Sequence, residues 1–234
     1  MERRRIYLMR HGETLYQRTA NEGAIGNGAL TERGREQIAT AALLFHAVPL
    51  DRIYSSPLSR SHETAQIIAT EKGLDVTLDP DLREITPSEE LTATQNITDI
   101  FQQVQRFFTN PATGWDEPYL GGESFGQVRE RGDRFLRTVL GQSDWRTLLV
   151  VAHGGSNNAL LASVLGTTDG RVFNIEQDFG CINIIDFIDD RPMLRLANFT
   201  LYDQLKVNLW DHSLDIILNL LQERGVIQKD GSES

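Results

Sequence analysis

Two short apolar runs constrain this chain more than any other feature. Ile6-Tyr7-Leu8-Met9 and Leu148-Leu149-Val150-Val151 are uninterrupted, and each is followed within two residues by a histidine and then glycine: "IYLMRHG" and "LLVVAHGG". Continuous rather than alternating hydrophobicity over so few residues marks a strand covered on both faces. Glycine directly after such a strand lets the backbone turn away. In open α/β sheets, ligands gather at the carboxyl ends of the strands. The question raised is why charged and imidazole side chains, Arg10-His11 and His153, stand at that edge.

The rest of the chain reads as alternating strands and helices. "ALTERGREQIATAALLFHAV" puts Ile38, Ala41, Ala42, Leu44 and Phe45 on one helical face, with Thr31 as N-cap. "DRIYSS" is a second strand. In "SPLSRSHETAQIIATEKG", Ser56 has the pattern of an N-cap, Pro57 of a first helical residue and Gly73 of a terminator. "DVTLD" is a brief strand, a helix is expected from Ser124 to Leu140, and "SNNALLASVLG" is a helix after the Val151 strand. "CINIIDFI" and "MLRLANF" form a hairpin around residues 189–192. This order predicts an α/β three-layer sandwich, with a mostly parallel central sheet and helices on both faces.

Residues 85–122 interrupt the rhythm with a helix over Ile97–Phe108 and the loop "NPATGWDEPYLGG". Such an insertion is expected to lie over the active site as a lid. The expected organisation is one domain over residues 1–227, a C-terminal helix over Trp210–Arg224, and a disordered tail at 228–234.

With 33 acidic against 23 basic residues, the net charge of −10 argues against nucleic-acid or anionic-membrane partners. It leaves room for a small phosphorylated ligand held by a few arginines in a cleft. A single cysteine, Cys181, excludes an internal disulfide, and neither a signal segment nor a membrane span is evident. A cytoplasmic location is expected.

Paired histidines at a sheet edge could be metal ligands or a nucleophile with a helper. A metal site would call for a third ligand at recognisable spacing, and none is present; a Walker phosphate loop is also absent, and the glycines of "GAIGNGAL" do not follow a strand as a dinucleotide site requires. Arg10 adjoins His11, and Arg60 falls in the first turns of a helix, where a cation is unfavourable unless an anion sits nearby. Helix amino ends and guanidinium forks both suit phosphate.

The motifs "LMRHGET" (8–14), "LTERGREQ" (30–37), "YSSPLSRSHETA" (54–65), "DLREI" (81–85), "GGES" (121–124) and "VVAHGG" (150–155), in this order, resemble the histidine phosphatase superfamily, the branch containing phosphoglycerate mutases and related phosphatases. The resemblance implies a phosphomonoesterase with no cofactor and no metal. His11 would attack phosphorus and become phosphohistidine. Arg10, Arg60 and His153 would surround the phosphoryl oxygens, Glu84 would serve as general acid and base, and the Gly154 N–H would add a phosphate contact. Where family members commonly carry asparagine, Gln17 would take its place on phosphate. After Glu84 the chain continues "ITPSEEL", which matches neither the phosphatase nor the mutase pattern, so the resemblance does not name a substrate. A mutase and a catalytically idle phospho-ligand-binding module are the competing readings.

Other residues carry blander expectations. His62 is read as solvent-facing, His46 and His212 as structural or exposed, Glu13 and Thr14 as capping the first loop. Arg131 is read as a structural ion-pair partner, Trp115 and Tyr119 as lining the substrate mouth or anchoring the insertion, and Arg3-Arg4-Arg5 as solvated.

Overall fold

The computed structural model describes residues 3–14, 28–90, 100, 102–104, 106–107, 114–167, 175–189, 191–208 and 219. Within them lie strands β1 (Arg3–Arg10), β2 (Arg52–Ser55), β3 (Val76–Leu78), β4 (Thr147–Ala152), β5 (Ile182–Ile188) and β6 (Arg191–Phe199). Helices α1 (Glu32–Phe45), α2 (Ser59–Lys72), α3 (Phe125–Leu140) and α4 (Gly154–Leu165) alternate with them. Gln17, His212, the helix expected over Trp210–Arg224 and the tail at 228–234 fall outside the described residues. Of the helix expected over Ile97–Phe108, the described residues 100, 102–104 and 106–107 are helical.

The sheet order is β3-β2-β4-β1-β5-β6, with β3, β2, β4 and β1 parallel and β5 and β6 antiparallel to their neighbours. Strand period two sorts the apolar runs onto two faces. Ile6, Leu8, Leu148, Val150 and Ala152 pack with Phe135 and Val139 of α3 and Leu160 and Leu161 of α4. Met9, Leu149, Val151 and Ile53 pack with Ile38, Ala42 and Phe45 of α1 and Ala65, Ile68 and Ala69 of α2. Both faces of β1 and β4 are therefore apolar, as their unbroken runs require, and the three-layer sandwich is as expected.

From β1 the chain crosses β4 through α1 to reach β2, and from β4 it crosses β1 through α4 to reach β5. Adjacent strands whose connections leave in opposite directions open a crevice at their carboxyl ends. Arg10 pairs with Ala152 in parallel register, and the His11 N–H donates to the Ala152 carbonyl at 3.1 Å. His11 and His153 therefore flank that crevice.

The helix expected to begin with Ser56 as cap starts later. Leu58 occupies the N-cap position of α2 with no side-chain capping bond, and the Ser56 hydroxyl is turned toward His153. The Gly73 terminator is as expected, left-handed at φ 64°. Ser124 caps α3 in a reciprocal box with Gln127, and Thr31 caps α1 through the Gly34 N–H at 2.8 Å.

The Arg3-Arg4-Arg5 run is not simply solvated. Strand alternation turns Arg4 inward, 7% exposed, where Nη1 donates to the Leu140 and Gln142 carbonyls at 2.7 and 2.9 Å and the guanidinium stands 5.0 Å from the Trp145 ring. It caps the carbonyl end of α3, the end that favours a cation. Arg5 forms a two-bond pair with Asp186, at 2.6 and 2.9 Å.

The described part of the 85–122 insertion has its own small core. Ile85, Ile100, Val104, Phe107, Tyr119 and Leu120 pack against Phe125 and Val128 of α3 and Ala159 of α4. Tyr119 is buried against Phe107, and Arg129 lies over the Trp115 ring at 5.1 Å. Both aromatics anchor the insertion.

Candidate active site

His11 is 1% exposed, and its Nδ1 lies 2.8 Å from the Gly12 carbonyl oxygen. A carbonyl only accepts, so Nδ1 carries the proton and Nε2 presents its lone pair. Arg60 Nε donates to that lone pair at 3.2 Å. Burial, then the charges of Arg60 and Arg10, hold the His11 pKa well below its usual value, so the imidazole is neutral.

The loop that presents His11 depends on two close approaches. A Cβ on Gly12 would stand 2.6 Å from the Gly34 carbonyl oxygen, and one on Gly34 would stand 2.1 Å from that of Glu13. Glu13 accepts the Thr31 hydroxyl at 2.8 Å, and Thr14 donates to the Gly28 and Ala29 carbonyls. Glu13 and Thr14 thus brace the loop against the start of α1.

Arg10 is buried, with Nη1 donating to the Gln177 carbonyl and the guanidinium 4.1 Å from the Phe179 ring centroid. Its Nε is buried and makes no hydrogen bond among the described residues. Gly154 lies directly beside it: a Cβ there would be 3.5 Å from Arg10 Cζ. Arg60, in the first turn of α2, is 8% exposed.

The His153 ring lies 5.1 Å from that of His11, centroid to centroid, and is fully buried. Burial is the main cause holding its pKa well below the usual value, followed by Arg60, His11 and Arg10. Its Nε2 is 2.8 Å from the Ser56 hydroxyl, and its Nδ1 is buried with no hydrogen bond among the described residues.

Glu84 reaches the amino end of α4. Oε2 accepts the Gly155 N–H at 3.1 Å, and Oε1 accepts those of Ser156 at 3.1 Å and Ile85 at 3.0 Å. An acidic group at a helix amino terminus is favourably placed against unpaired N–H groups. The loop carrying it is held by Arg131, which pairs with Glu123 through two bonds at 2.8 and 3.1 Å and donates to the Asp81 carbonyl at 2.6 Å. Glu123 in turn accepts the Thr86 N–H at 3.2 Å. Arg131 is structural, as expected.

The geometry brings Arg10, His11, Arg60 and His153 together in one buried cluster, with Glu84 and Gly154 at the adjoining helix terminus. His62 is half-buried. His46 is exposed and pairs with Glu71 at 2.8 Å. Several site contacts were not assigned from the sequence, among them Phe179, which comes to the site from the approach to β5, Gln177, whose carbonyl accepts from Arg10, and Gly155, the second glycine of "AHGG".

The chain matches a family model described as the histidine phosphatase superfamily (branch 1) over residues 6–200. It is 28% identical over 199 residues to the adenosylcobalamin/alpha-ribazole phosphatase of Escherichia coli (strain K12), covering 83% of this chain and 95% of that protein. It is 30% identical over 162 residues to a probable phosphoglycerate mutase, GpmB, of Escherichia fergusonii, covering 69% and 74%. Among solved structures, a mycobacterial glucosyl-3-phosphoglycerate phosphatase aligns with a TM-score of 0.69 at 26% identity, over 83% of this chain and 98% of that one.

Proposed function

The chain belongs to the histidine phosphatase superfamily (branch 1), with named phosphatases among its relatives, and on that premise we propose that it hydrolyses phosphate monoesters through a phosphohistidine on His11, without a metal ion. The observation that carries this reading is the His11 ring itself: buried, neutral, its proton spent on Gly12 and its Nε2 lone pair turned to a guanidinium.

In the first step Nε2 attacks phosphorus, the N–P bond forms, and the ester P–O bond breaks in line with it. Glu84 delivers a proton to the departing oxygen. Arg60 exchanges the Nε2 lone pair for a phosphoryl oxygen, and Arg10, His153 and the Gly154 N–H hold the others. The Nδ1–H bond to Gly12 steadies the positive charge that develops on the ring. In the second step Glu84 takes a proton from water, which attacks phosphorus, and the N–P bond breaks to return neutral His11. Two guanidinium groups supply the cationic charge that phosphoryl transfer needs, so the reaction calls for no metal.

Hydrolysis of para-nitrophenyl phosphate in the presence of a chelator tests the proposal. Turnover in the wild type and its abolition in His11→Ala are expected; equal turnover in both refutes it. The relative named as a probable phosphoglycerate mutase favours a second reading, phosphoryl return to a sugar-acid substrate. Isomerisation of a phosphoglycerate primed by a bisphosphoglycerate, in place of phosphate release, would establish that reading.

A further inference from the structure

Ser56 sits between β2 and α2 with no exposed surface. Its hydroxyl oxygen accepts the Leu58 N–H at 3.3 Å and lies 2.8 Å from His153 Nε2. The second hydroxyl near Nε2 is that of Ser61, at 3.4 Å, whose hydrogen goes to the Ala152 carbonyl at 3.0 Å. On the other side of the ring, Nδ1 is buried without a partner among the described residues.

A neutral imidazole has one N–H and one lone pair, so two tautomers compete. With the proton on Nε2, that N–H would point at Ser56. The Ser56 hydroxyl hydrogen would then have no acceptor among the described residues, and the Nδ1 lone pair would also be unsatisfied. With the proton on Nδ1, the Ser56 hydroxyl donates to Nε2 and only one group, the Nδ1–H, is left unspent. Unmade hydrogen bonds are costly when buried, so the second arrangement wins. The group it leaves over is a donor, on a ring 5.1 Å from that of His11. An oxygen of a bound phosphoryl group is the acceptor it lacks.

We propose that Ser56 is a positioning residue for phosphoryl transfer: its hydroxyl donates to His153 Nε2 and holds the ring as the Nδ1–H tautomer, so that His153 offers a proton where His11 offers a lone pair. This rests on the phosphatase reading of the site. The two rings are thereby set in complementary roles by their outward partners, the Gly12 carbonyl for one and the Ser56 hydroxyl for the other. In Ser56→Ala, Nε2 loses its donor while the Ser61 oxygen remains able to accept, which favours the Nε2–H tautomer and turns an Nδ1 lone pair toward the phosphoryl group.

Long-range proton–nitrogen NMR of the ¹⁵N-histidine-labelled full chain, with and without inorganic phosphate, reads the tautomer directly. The expected result is Nδ1–H for His153 in the wild type and a shift toward Nε2–H in Ser56→Ala. In parallel, kcat for para-nitrophenyl phosphate is expected to fall about 10- to 100-fold in Ser56→Ala and to be largely recovered in Ser56→Thr, which restores the hydroxyl. A wild-type His153 found as Nε2–H overturns the proposal, as does a Ser56→Ala protein with unchanged tautomer and unchanged kcat. The NMR measurement needs no turnover. A wild type without phosphatase activity would therefore refute the functional reading, while the tautomer would still decide this one.

Discussion

Glu84 and Gly155 meet so closely that a side chain on the glycine would displace the carboxylate: a Cβ there would stand 2.5 Å from Glu84 Oε1, while the Gly155 N–H donates to Oε2 at 3.1 Å. The second glycine of "AHGG" therefore makes the room in which the proposed general acid is held. Gly155→Ala is expected to push the carboxylate off the helix terminus and lower kcat for para-nitrophenyl phosphate by about 10²-fold, the lower end of what a general acid contributes. Inhibition by free phosphate, which needs the clamp but no proton donor, should change little. Loss of both in a folded protein would show that Gly155 serves the clamp instead.

The two buried imidazoles make stability depend on pH. His11 and His153 have pKa values held well below the ordinary 6.5 by burial and neighbouring guanidinium charge. Below about pH 6.5 the unfolded chain binds protons that the folded chain refuses, so the free energy of unfolding falls as pH falls. Their contribution is complete above that pH and is lost progressively toward the folded-state values, by at most about 1.4 kcal/mol per pH unit for each ring. The urea midpoint should drop between about pH 7 and about pH 5.5, and drop less in His153→Gln. A midpoint that is flat, or that rises on acidification, contradicts the neutral buried pair.

Arg4 provides a test of stability separated from chemistry. Its guanidinium caps the carbonyl end of α3 and lies near Trp145, at the opposite end of β1 from His11. Arg4→Ala is expected to destabilise the chain by about 2 kcal/mol, the scale of lost charged hydrogen bonds, and to leave kcat/KM unchanged. Paired denaturation and kinetic measurements check both halves.

Much of this architecture can be read from residue patterns because it rests on local or repeating signals. The unbroken apolar runs of β1 and β4 have the pattern of strands buried on both faces, and their parallel pairing brings His11 and His153 to one edge. Thr31 is a cap whose partner, the Gly34 N–H, lies three residues away. Ser56 shows where such reading stops. It stands before Pro57 as a capping serine would, but its hydroxyl turns to His153, a partner 97 residues distant that no local pattern encodes. Arg4 is the same lesson in reverse: a basic triplet looks solvated until β1 turns one member inward. Phe179 and Gly155 matter only through what lies across the crevice from them.

The most direct test of the central claim is to trap the intermediate. The full chain is quenched in base during turnover of para-nitrophenyl phosphate, digested, and mapped by mass spectrometry. The expected result is one phosphoryl group on His11, stable to base, lost in acid, and missing from His11→Ala. Turnover with His11 unmodified, or a phosphoryl group that persists in His11→Ala, would contradict the account.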